Sequence, residues 1–147
     1  MGLDMYLFRT THLRLPNSTS VKELNSAHIK GERITRIVEE MAYWRKANHI
    51  HNWFVKNVQD GEDDCNEYYV TNDHIKALNE ACKKVLDKNS LAKELLPTAS
   101  GFFFGGVEYD KYYFHWVSHT LEVTNTLLEE MGNYNSFSVD IVYQSSW

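Results

Sequence analysis

The sequence predicts an α+β domain: a small antiparallel sheet covered by two long helices and a shorter one. Three observations predict it. Leu3, Met5 and Leu7 alternate with Asp4, Tyr6 and Phe8 near the start, and Phe137, Val139, Ile141 and Tyr143 alternate with Ser138, Asp140 and Gln144 near the end. That period of two is the mark of half-buried strands. Two stretches, 33–58 and 109–131, instead carry apolar residues at helical spacing. Finally, 147 residues with 43% hydrophobic and 24% charged composition are ordinary for one domain with a real core.

The first strand is assigned to residues 2–8. From Thr10 to Gly31 the pattern is weak; Pro16-Asn17-Ser18 is turn chemistry, and Ser20 could cap a short helix through Ala27. Residues 33–58 run without Gly or Pro. Steps of 100° gather Ile37, Met41, Trp44, Ala47, Phe54, Val55 and Val58 into one arc, so one long helix is expected there. Glu40 and His51 fall inside that arc and Asn48 at its edge. Both Glu40 and His51 are therefore expected inside the fold, each with a polar partner.

An acidic turn follows, with six carboxylates and no Lys or Arg from Asp60 to Asp73. It is not a calcium loop, because Cys65 stands where the sharp turn needs Gly; a solvated loop is the better reading. Residues 67–70 could form a short strand. Thr71, Asn72 or Asp73 then caps a helix with Ile75, Leu78, Cys82, Val85 and Leu86 on one face, ending near Asn89. His74 is given no role. Residues 101–107, three consecutive Phe bracketed by glycines, are expected to be a central strand of the same sheet. In the helix 109–131, Tyr113, Trp116, Val117, Leu121, Thr124, Leu128 and Met131 share the core face. His115, His119 and Glu122 lie opposite, where a solvated face is favoured over a metal pair.

Composition excludes several function classes. A net charge of −5 with no polybasic run argues against binding duplex DNA or RNA. Cys65 and Cys82 have no metal spacing and read as free thiols. No export signal, myristoylation motif or apolar run of spanning length is present, so a cytoplasmic protein without membrane contact is expected. Nucleophile elbow, HExxH, Walker loop, Rossmann glycines and CxxC are missing, and neither cofactor nor metal is expected.

Aromatics at 14% are the unusual entry in the composition. Tyr43, Trp44 and Tyr109 could stack on a planar group while Arg45, Asn48 and His51 supply donors around it. Together they suggest a pocket for a small molecule such as a nucleotide. Two other readings stand beside it. A small hydrolase could be assembled from Glu40, His51 and Asp4. Alternatively, Trp53 and Trp147 could serve an inhibitor that docks on another protein. Self-association is left open.

Four blocks carry a resemblance: residues 1–7 (MGLDMYL), residues 43–55 (YWRKANHIHNWFV), Gly101 to Gly105 with Tyr109-Asp110, and Tyr143 to Trp147 (YQSSW). In these the chain resembles a family of small proteins encoded by phages and prophage regions. The resemblance implies viral origin and a role in the infected cell, and it implies no reaction. Sequestering a nucleotide signal used in host defence is one activity that would suit a pocket of this kind in such a protein.

Overall fold

The computed structural model describes residues 1–13, 25–134 and 138–147. It has a four-stranded antiparallel sheet with helices against one face. The strands are β1 (Asp4–His12), β2 (Arg36–Arg45), β3 (Tyr68–Tyr69) and β4 (Ser138–Ser146), in the order β2-β1-β4-β3. The helices are α1 (Asn48–Asn57), α2 (Asn72–Asp87), the single turn α3 (Ala92–Leu95) and α4 (Lys111–Glu130). Two helices are long and one is shorter, as expected, although they are not all where the spacing put them. The predicted Pro16-Asn17-Ser18 turn, the Ser20 cap and Phe137 lie outside the described residues.

Strand alternation sets the core. Leu3, Met5 and Leu7 on one chain end and Ile141 and Tyr143 on the other point to the same face and are buried there. Ala42 and Trp44 join them from β2. Helices α2 and α4 lie along each other over this layer, contributing Ile75, Leu78 and Val85 from one and Tyr113, Val117, Val123 and Leu127 from the other. Both are capped locally. The Thr71 hydroxyl accepts from the His74 amide while the Thr71 amide donates to His74 Nδ1, so His74 closes a reciprocal cap. The Asp110 carboxylate accepts from the Tyr113 amide and starts α4. Trp116, Leu121, Leu128 and Met131, predicted for the core face of α4, sit at its half-buried margin.

Two expectations need correction. Residues 33–58 are not one helix. They form β2, a two-residue break and then α1. The helical pattern arose because β2 carries a bulge: Leu7 pairs with Ala42 but Phe8 with Glu40, leaving Met41 as the extra residue. Before the bulge Ile37 and Glu39 face inward; after it Ala42 and Trp44 do, so strict alternation is lost and a 3.6 period imitates the result. For the same reason Glu40 is exposed on the outer face, whereas His51 is buried as expected.

Residues 101–107 are likewise not a strand. They form a loop with a tight turn (Phe104 N donates to Gly101 O at 3.2 Å) and Gly105 at φ 85°. Phe102 is 94% exposed rather than central. The place beside β1 is taken by the long antiparallel ladder of β2, and the loop is tied to the start of β1 where the Leu3 amide donates to Phe103 O at 3.0 Å. No helix among the described residues is long and apolar enough to cross a membrane.

Candidate functional site

Helix α1 is where buried polar chemistry gathers. The chain passes from β2 into α1 through Lys46, which adopts φ 54°, a left-handed conformation rare outside glycine. That turn folds the helix back against the sheet. It also fixes the lysine, which threads between two glycines. A Cβ on Gly2 would meet Lys46 Cε at 3.0 Å, and one on Gly105 would meet Lys46 Cβ at 3.0 Å.

The first turns of α1 place three polar residues inside. Asn48 binds the 97–110 loop. Its Nδ2 donates to Phe104 O (3.0 Å) and Gly106 O (2.8 Å), and its Oδ1 accepts from Ala99 N (3.0 Å). His51 is bound at both nitrogens, Nδ1 with Tyr143 Oη at 2.7 Å and Nε2 with Asp63 Oδ1 at 3.0 Å. Trp147 Nε1 donates to the same Asp63 oxygen at 3.0 Å. Burial pushes the His51 pKa below its ordinary value, with Asp63 pulling back part of the way.

His49 differs. It is 3% exposed, packs on the Tyr113 ring at 4.1 Å between centroids, and its Nε2 has no hydrogen-bond partner among the described residues. Burial pushes its pKa down to about 3, against a weaker opposing contribution from the Tyr113 backbone. At neutral pH it is an uncharged imidazole with one nitrogen unanswered.

His49 lines a cleft of about 170 Å³ together with Lys46, Thr98, Gly106, Glu108, Asp110, Tyr112 and Tyr113. Two carboxylates, one ammonium and two phenol rings thus border an unpaired buried imidazole. Several of these groups are already held. Tyr112 Oη donates to Arg45 O at 2.5 Å, Thr98 Oγ1 donates to Val107 O at 3.1 Å, and Asp110 Oδ1 accepts from Tyr113 N at 3.0 Å. Lys46 and Glu108 make no ion pair among the described residues. This arrangement can hold a ligand that offers a donor to the carboxylates or the imidazole and an acceptor to the ammonium.

The six residues singled out in the sequence are not brought together. Strand alternation sends Tyr43 and Arg45 to the outer face of the sheet, where both donate to Asp4 Oδ1, at 2.5 and 2.9 Å. It sends Trp44 inward, fully buried, with Nε1 donating to Thr120 Oγ1 at 2.9 Å. Asn48 and His51 are engaged by the protein itself. Tyr109 adjoins the cleft without lining it: it is flanked in sequence by Glu108 and Asp110, packs on Tyr113 at 4.9 Å, and accepts from Thr98 N at 3.2 Å. Glu40 and His51 lie on opposite sides of the sheet and cannot act on one substrate. His115 is exposed while His119 packs half-buried against Trp44 and Trp116. Among the described residues no group of three or more His, Cys, Asp or Glu is placed to hold a metal ion.

Sequence reasoning passed over Lys46, His49, Glu108, Asp110 and Tyr112. A scan against protein-family models, a search of curated proteins and a search of solved structures each found no match.

Proposed function

We propose that this chain is a non-catalytic binding protein whose cleft beside the Lys46 turn takes a small polar molecule carrying both donor and acceptor groups. The observation that supports this most is the buried His49 Nε2, without a partner among the described residues, on a histidine that lines the cleft. Buried polar atoms in folded proteins are nearly always satisfied, and an open one beside a cleft is a place for a ligand atom or an ordered water. Binding fits better than catalysis because an imidazole with a pKa of about 3 does not take up a proton at neutral pH. The hydroxyls of Tyr112 and Thr98 are both committed to backbone carbonyls, and neither is paired with a base.

Size limits the ligand. Pockets for drug-sized molecules run to roughly 300–1,000 Å³, so a cleft of about 170 Å³ admits one portion of a nucleotide rather than the whole. A nucleotide-like ligand is retained on that basis, with a base or sugar edge at Glu108 and Asp110 and a negative group near Lys46. The resemblance to phage and prophage proteins supports an infected cell as the setting, where withdrawing a host-defence signal is one use of such binding.

The test is native mass spectrometry of the purified protein, then thermal-shift titration with nucleosides, nucleotides, cyclic dinucleotides, amino acids and polyamines. One class is expected to raise the melting temperature, and Lys46→Ala and Glu108→Gln should each weaken its binding about tenfold, ~1.4 kcal/mol. If a ligand is found that both variants bind like the parent, or if no class shifts the transition, the proposal fails.

A further inference from the structure

The helices cover one face of the sheet, and the other carries an apolar surface. Cross-strand register sets Tyr6 of β1 beside Tyr43 of β2, Phe8 between Glu40 of β2 and Val142 of β4, and Thr10 beside Val38 of β2; Val142 in turn pairs with Tyr69 of β3. Tyr6 stacks on Phe8 at 5.7 Å and meets Tyr43 at 5.4 Å. Val38 and Tyr69 are 55% and 73% exposed. Contiguous apolar side chains on an otherwise charged surface mark an interaction site.

The groove across this face has a particular charge pattern. It measures about 260 Å³; Phe8, Val38 and Val142 are its apolar walls, with Arg36 and Glu67 also lining it. Arg36 belongs to β2, one edge of the sheet, and Glu67 directly precedes β3, the other edge. Neither has an ion-pair partner among the described residues.

We propose that this face is where two copies of the chain meet, related by a two-fold axis through the middle of the groove. A groove with a cation at one end and an acid at the other is its own complement under that rotation. The axis exchanges the ends, so Arg36 of each copy faces Glu67 of the other, and the apolar middle meets itself. Two sheets stacked face to face at about 10 Å interleave side chains in this way. The two ion pairs fix the orientation while the Tyr6, Phe8, Val38 and Val142 surfaces leave water.

Sedimentation of the full chain over a range of concentrations tests it. The parent should show a monomer–dimer equilibrium. Arg36→Glu and Glu67→Arg, each with an unchanged melting temperature, should each weaken the dimer at least tenfold. The R36E chain has acids at both ends of the groove and the E67R chain has cations at both. Equimolar mixing of the two should therefore restore a dimer that neither forms alone. A parent that stays monomeric, a dimer indifferent to both substitutions, or a mixture that remains monomeric would each overturn the proposal.

Discussion

His49 and His51 stand two residues apart on α1, both almost wholly buried, both held neutral by that burial. One is closed at each nitrogen by Tyr143 and Asp63; the other lines a cleft, and its Nε2 has no partner among the described residues. Residue type, helix and burial are the same, so none of these separates a structural histidine from one available to a ligand. Completeness of hydrogen bonding does. The side of α1 that faces Asp63 and Trp147 is finished by the protein, and the side that carries His49 toward the cleft is not.

Acid should reveal the two together as the largest effect. Each histidine has a folded pKa below the unfolded value near 6.5, so the unfolded chain binds the extra proton first. Stability is full above about pH 6.5 and falls as pH drops toward the folded pKa, which for His49 is about 3. His49 contributes a loss of ~1.4 kcal/mol per pH unit in that window, ~3.5 kcal/mol between pH 6.5 and 4, and His51 adds to it in the same direction. Urea unfolding at pH 7, 5.5 and 4 measures it, and in His49→Phe the slope should fall by the His49 share. A flat profile would mean that neither is kept neutral.

His51→Ala should come next, at ~3 kcal/mol, because it opens a cavity and strands the fully buried Tyr143 hydroxyl. Equilibrium denaturation reads the loss directly; a cost under ~1 kcal/mol would mean the closed network is not holding this side together. Asn48→Ala leaves one amide and two carbonyls of the 97–110 loop without their side-chain partner and should cost ~2 kcal/mol. Hydrogen exchange at Ala99 should accelerate alongside, while exchange in β4 stays slow. The smallest change is expected on the open side. Glu108→Gln touches an exposed carboxylate without an ion pair and should move stability by less than ~0.5 kcal/mol while weakening ligand binding. A comparable loss of stability there would erase the distinction between the two sides.

Much of the fold was legible because it is local. The alternation at 2–8 and 137–143 identified β1 and β4, and Thr71 and the spacing of Ile75, Leu78, Cys82 and Val85 identified α2. The failures share a cause. Whether residues 36–45 form helix or strand depends on β1, thirty residues away, and the Met41 bulge hides the alternation that would have announced it. The triple Phe looked central because aromatic residues favour strands, yet Asn48 and the left-handed Gly105 hold that segment as a loop. The site was less legible still. His51 was correctly placed inside, but which histidine is left open depends on Asp63, Tyr143 and Tyr113, none of them predictable as neighbours from spacing. Trp44 and Arg45 were grouped by a helical geometry that a strand reverses.

Lys46 carries a further consequence. A left-handed backbone at a residue with a side chain costs roughly 1 kcal/mol relative to glycine, so the turn into α1 is one the fold alone would assign to Gly. Selection for heat resistance without regard to ligand should therefore recover Lys46→Gly, with a melting temperature a few degrees higher. The same variant would lose the ammonium of the cleft. Evolution toward robustness and evolution toward binding would thus pull this single codon in opposite directions.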